Sequence, residues 1–198
     1  MTNKTDQQKF ELKTKRLNER HMMTLTEYVQ NLRDRTPDAF IPNFDPEDGG
    51  LEAKILFLYE KPSRKTDPRE GGSGFISQDN NDETARATKR FLREAGIDRK
   101  DVIFWNAIPA WNGTRKITKK ETRYSAEQLT ELLKILRNVR SIVLVGKRAH
   151  NAVKNLKLRE QYSVTDCLHP SPINRNTRKS EWENIPNCWR EAAAKLRD

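Results

Sequence analysis

Three nearly unbroken apolar runs punctuate an otherwise polar chain. Ile55-Leu56-Phe57-Leu58, Val102-Ile103-Phe104-Trp105 and Ile142-Val143-Leu144-Val145 have the length and composition of strands buried on both faces. A weaker fourth strand is predicted around Tyr162 to Cys167. Between the runs, the inward positions recur at helical spacing. One stripe is Ala85, Thr88, Phe91, Leu92 and Ala95, and another is Leu129, Leu132, Leu133 and Leu136. Ala149, Ala152 and Val153 follow the third strand, and Trp189, Ala192, Ala193 and Leu196 mark a last helix. Strands that alternate with helices predict right-handed crossovers and a parallel sheet covered on both faces. The expected fold is α/β, three layers with a central four-stranded parallel sheet.

Local punctuation refines the boundaries. An early helix carries Leu25, Val29 and Leu32 and stops at Pro37; Thr24 and Glu27 read as its capping box. Asn81 or Asp82 caps the helix that runs to about Ala95, and Gly96 sits where a left-handed C′ residue belongs. Ser125 with Gln128 is the predicted cap of the helix after the basic loop Arg115 to Lys120. Residues 1–22 are charged, with little apolar patterning, and read as a mobile arm or frayed helix ahead of one domain over 23–198.

A buried parallel strand that breaks into polar residues presents them at its carboxyl end, where open α/β sheets bind ligands. The first strand breaks into Tyr59-Glu60-Lys61-Pro62-Ser63, followed by the glycine-rich Gly71-Gly72-Ser73-Gly74-Phe75. The later strands end at Asn106, at Gly146, and at His169-Pro170-Ser171-Pro172. Three of these four ends carry polar groups that could meet around one pocket.

Composition narrows the partner. The 38 Lys plus Arg against 28 Asp plus Glu give a net charge of +10. Such a balance suits a polyanion, because basic surfaces gain affinity by releasing counterions from nucleic acid. The two cysteines, Cys167 and Cys188, have no metal-ligand spacing, so neither a structural zinc site nor a four-cysteine cluster is encoded. No run approaches the length of a membrane span and no signal-peptide pattern is present, which predicts a cytoplasmic or nucleoid-associated protein, with a monomer as the default expectation.

The order YEKPS, SGF, strand, Asn, strand, HPSP resembles that of the uracil-DNA glycosylase superfamily over roughly Ala53 to Pro172. His-Pro-Ser-Pro after the last strand is the sharpest match. The resemblance implies a DNA glycosylase that flips uracil or a related deaminated base and hydrolyses its N-glycosidic bond, with no metal or cofactor. The chemistry fits these residue types. Cleavage leaves negative charge on the base, and a neutral His169 aimed at the base oxygen would stabilise it. Asn106 has both a donor and an acceptor, enough to read the uracil edge. By the same resemblance Phe75 after Gly74 would stack on the base. Ser63 and Ser171 would clamp phosphates, Ile173 would wedge into the vacated stack, and Arg175 would meet the backbone.

One position departs from the family. Where many members carry a carboxylate or Asn before the first-motif proline, this chain has Lys61. Glu60 is then the first candidate to stabilise water or the sugar cation, and Asp79 the second. Lys61 itself suits a phosphate contact, or an amine that forms a Schiff base at the sugar. Two other readings compete: a DNA-binding module that has lost catalysis on the same fold, and a phosphate-binding α/β enzyme using Gly71 to Gly74. No GxxxxGK[ST] or GxGxxG follows the first strand, which ranks the last reading lowest.

Overall fold

A computed structural model describes residues 4–196. Its helices are α1 (Lys4–Lys15), α2 (Met23–Arg35), α3 (Glu83–Ala95), α4 (Lys119–Ile135), α5 (Lys147–Val153), α6 (Pro172–Thr177), α7 (Lys179–Glu183) and α8 (Ile185–Ala194). Its strands are β1 (Asn43–Phe44), β2 (Ile55–Tyr59), β3 (Phe75–Ile76), β4 (Val102–Asn106), β5 (Ser141–Val145) and β6 (Ser163–Cys167). The four main strands form one parallel sheet in the order β4-β2-β5-β6, and β1 and β3 make a separate two-stranded parallel pair.

The continuous apolar runs are explained by alternation across this sheet. Leu56, Leu58, Ile103, Trp105, Ile142 and Leu144 face one core with α2, α4 and α5. Ile55, Phe57, Val102, Phe104, Val143 and Val145 face the other, with α3 and α8. Both faces are covered, so neither can be polar, and the result is the expected three-layer sandwich. Phe44 stacks on Trp105 at 4.0 Å in the first core, and Trp189 meets Phe57 edge-on at 4.8 Å in the second.

Register brings the polar strand ends together. Tyr59 lies opposite Asn106 in the β2–β4 pair, and Val145 opposite Cys167 in the β5–β6 pair. The chain places β4 on one side of β2 and β5 on the other, so the crossovers diverge at β2 and open a crevice over its carboxyl end.

Two local expectations change. The Thr24–Glu27 capping box does not form: α2 starts behind Met22 without a side-chain cap, and the Thr26 hydroxyl donates to the Leu17 carbonyl. The α4 cap lies earlier than predicted, at Thr118 with Glu121, and buries Ser125 and Gln128 within the helix. Both pairs fit the same four-residue pattern, and tertiary burial selected the first. Asp82 and Gly96 cap α3 as expected.

Of the two readings of the N-terminal segment, mobile arm or frayed helix, the described residues form a helix that packs on the domain. The segment is helical from Lys4, Met22 is fully buried in the core, and Lys13 is only 4% exposed. The Lys13 ammonium donates to Asp45 at 2.6 Å and to Asp79 and Ser77 at 3.1 Å. Arg99 completes the cluster with Asp45 and Asp48 at 2.8 Å, Asp79 at 2.7 Å and Glu47 at 3.0 Å. Charge pairing at a distance in sequence, invisible to hydrophobic patterning, secures this segment. The two cysteines, which lack metal-ligand spacing, form a disulfide joining the end of β6 to α8. Among the described residues, no helix is long and apolar enough to cross a membrane.

Candidate active site

A cleft of about 650 Å³ opens over the carboxyl ends of the sheet, within the size range of small-ligand sites. Parallel strands end on the same side, so Glu60 after β2, Asn106 at the end of β4 and His169 after β6 all line it. The loop and helix after β6 add Ser171, Ile173 and Arg175, and the β2 loop adds Lys61 and Ser63.

His169 is held by its backbone while its ring stays free. Its carbonyl accepts from the Ser171 amide and from the Asn174 side chain, both at 2.8 Å. The ring meets Tyr59 edge-on at 5.4 Å, and among the described residues its nitrogens have no hydrogen-bond partner. Burial, with a smaller contribution from the Arg115 charge, pushes its pKa from 6.5 down to about 4. The imidazole is therefore neutral near pH 7 and has one N–H to donate. Gly146 makes room for this approach. A Cβ there would sit 3.0 Å from the His169 Cβ, and its φ of +90° is one that side-chain-bearing residues rarely adopt.

Asn106 is 5% exposed, and its side-chain amide has no partner among the described residues. Its polar atoms are not among the fully buried unpaired ones, so the amide meets the open space of the cleft and is free to pair with what enters it. Among the described residues the Glu60 carboxylate has one ion-pair partner, the Arg148 guanidinium at 3.3 Å, and its side chain is 22% exposed. Ser171 caps α6 by accepting from the Asn174 amide at 3.3 Å, which leaves its own O–H free to donate. Ile173 is 73% exposed, one of few large apolar side chains in that condition. Arg175 is paired with Glu83 at 3.1 Å.

A family model for the uracil DNA glycosylase superfamily matches residues 46–196. The chain belongs to that superfamily. Among solved structures, 52 chains match. One of them is the solution NMR structure of a candidate uracil DNA glycosylase from Methanosarcina acetivorans. It is 15% identical with a TM-score of 0.47, over 72% of this chain and 92% of that one. No curated protein matches.

Against the superfamily pattern, three expected site residues fall outside the cleft lining. Phe75 is 2% exposed and not among the residues lining the cleft; it lies in β3, which pairs with β1. Gly74 is also outside the cleft lining. Its backbone bridges the Thr66 carbonyl at 2.9 Å and the Asn43 amide at 2.8 Å, so the segment is shaped by turn hydrogen bonds rather than by a ligand. Asp79 belongs to the buried ion cluster. Burial alone would raise its pKa, but Lys89, Arg99 and Lys13 outweigh that and hold the carboxyl well below the usual range. A carboxylate so paired lies outside the lining of the cleft.

Lys61 does line the cleft, but its ammonium is turned inward. Its side chain is 3% exposed and donates to Glu121 and Asn112, both at 2.8 Å. In this arrangement the amine pairs with protein groups rather than pointing into the open cleft. Conversely, sequence reasoning missed Tyr59, Thr88, Phe104 and Arg115, which all line the cleft. The Tyr59 hydroxyl pairs with that of Thr88 at 2.9 Å, and burial raises its pKa well above the ordinary phenol value. Adjacency to Glu60 was the available signal for Tyr59. Nothing local marked Thr88 or Arg115.

Proposed function

We propose that this protein is a DNA glycosylase that holds a flipped uracil or related deaminated base in the cleft and hydrolyses its N-glycosidic bond. One observation carries the reading. Asn106 and His169 both enter the cleft with side chains that have no partner of their own, beside an exposed apolar residue at the rim. Polar groups left unpaired at such a place suit a polar ligand that arrives with the missing hydrogen bonds.

In this mechanism Asn106 reads the amide edge of the base, and the neutral His169 donates to the base oxygen as negative charge develops there. Tyr59 and Phe104 supply the aromatic wall, in place of Phe75. Glu60 is the carboxylate that faces the developing sugar cation and its water. Ser63 and Ser171 hold backbone phosphates, Arg175 adds charge, and Ile173 fills the gap left by the flipped base. The protein acts as a monomer in this scheme, because one cleft buries one base.

The test is incubation with a uracil-containing oligonucleotide, then alkali, read as strand cleavage. The reading expects alkali-dependent cleavage that falls sharply in His169→Ala and Asn106→Ala. Protein that binds such DNA but releases no deaminated base would replace the glycosylase reading with a DNA-binding module on the same fold.

A further inference from the structure

We propose that Arg115 to Arg123 form a track for the DNA backbone, running from the mouth of the cleft onto the first turns of α4, and that Lys61 holds this track in place. The inference rests on reading the cleft as a DNA site, and it assigns that site a path for the strand.

Five cations fall within nine residues: Arg115, Lys116, Lys119, Lys120 and Arg123. All five are exposed, and among the described residues none of their side chains has a hydrogen-bond or ion-pair partner. Of the other cations at or near the cleft, Arg148 pairs with Glu60, Arg175 with Glu83 and Arg178 with Glu181, while Lys65, on the β2 loop, is a single unpaired charge among the described residues rather than part of a run. The one acid in the segment, Glu121, is committed elsewhere. One of its oxygens accepts from Lys61, and the other accepts from the Thr118 amide and hydroxyl at 2.8 and 2.9 Å. The strip is thus a run of positive charge with no internal counter-charge.

Folding does not favour such a strip. Lys119 and Lys120 open α4, where the helix dipole disfavours positive charge. An external polyanion gives the arrangement a purpose. The strip is also continuous with the cleft, since Arg115 lines it and its charge is felt by His169.

Lys61 acquires a role from this geometry. Its sealed ammonium reaches Glu121 and Asn112 at 2.8 Å and the Lys116 carbonyl at 3.4 Å, and Asn112 returns a hydrogen bond to Glu121 at 3.2 Å. The residue that departs from the family pattern therefore ties the first-motif loop to the basic segment.

The experiment is a salt titration of binding to an undamaged duplex, followed by fluorescence anisotropy. For Lys119→Gln/Lys120→Gln, binding should weaken and the slope of log K against log salt should become shallower by about 1.8, at roughly 0.9 per lost phosphate contact. The matched pair Lys134→Gln/Arg137→Gln, at the opposite end of α4, should leave the slope unchanged. Equal effects from the two pairs would mean net charge alone and overturn the track; so would an unchanged slope in the first pair.

Glu121→Gln tests the clamp. Removing a negative charge near DNA should strengthen binding if only charge matters, whereas a loosened track weakens it severalfold; stronger binding removes the role given to Lys61. Base release is scored separately on the same proteins. Protein that releases no base, yet loses affinity in the track variant alone, keeps the track and loses the glycosylase reading. Base release with track variants that bind like the parent does the reverse.

Discussion

Two polar regions of this molecule handle charge in opposite ways. In the cluster around Asp45, polar groups are buried against one another: Lys13, Arg99, Asp48, Asp79 and Ser77 pair with one another, and of their carboxylate oxygens Asp48 Oδ2 is the one buried without a partner among the described residues. In the cleft, Asn106 and His169 are turned toward open space with no partners. The cluster spends its hydrogen bonds on holding α1 and the glycine-rich loop to the domain. The cleft keeps its own unspent, which is what a site for a polar ligand requires. Buried polarity alone would not tell the two apart; pairing does.

The contrast can be broken at either side, and the largest effect is expected in the cluster. Arg99→Met leaves Asp45, Asp48 and Asp79 short of a cation. Asp48 is the most exposed to that loss: burial and the neighbouring Asp45 already push its pKa well up, against the pull of Arg99. Removing one partner of a buried network costs about 3–5 kcal/mol, which for a chain of this size lowers Tm by roughly 6–20 °C. A calorimetric scan measures this, and a shift within 2 °C would mean that the cluster is not structural.

His169→Ala should behave in the opposite sense. Single-turnover base release should fall about 10²- to 10³-fold, as for loss of one oxyanion donor, while Tm stays close to that of the parent. A variant that unfolds would put His169 in the cluster's class. Gly146→Ala sharpens the point by moving the histidine rather than removing it. Its φ of +90° and the 3.0 Å approach of a new Cβ to His169 predict a cost of about 1–3 kcal/mol. Activity should drop further than stability alone explains, measured as kcat below the melting range.

The smallest effect is one of pH. His169 binds its proton near pH 4 in the folded chain and near 6.5 when unfolded. Between those values the unfolded state holds more protons, so this group's contribution to stability is full above 6.5 and declines as pH falls toward 4. The Tm difference between parent and His169→Ala should therefore shift against the parent on acidification, and the acid limb of kcat/KM should lie nearer 4 than 6.5. An inflection near 6.5 would mean a solvated histidine.

Much of this was legible in the chain. The apolar runs of β2, β4 and β5 could only be strands covered on both faces, and their polar ends marked Glu60, Asn106 and His169 because parallel strands finish on one side. Those inferences depend on periods of two and of 3.6 residues, which sequence carries directly. Other features depend on contacts between residues far apart in sequence. Phe75 follows a glycine turn as a stacking residue would, yet its pairing with β1 buries it. Asp79 looked like a free acid until Lys13, Lys89 and Arg99 closed on it. Lys61 read as a phosphate contact or a Schiff-base amine, yet Glu121 and Asn112, more than fifty residues on, draw it inward. Sequence by itself determined the layers, the sheet and the end of the sheet where chemistry belongs, because burial imposes a local pattern. The tertiary structure alone decided which polar groups are paired, because pairing is settled by neighbours that no local pattern names.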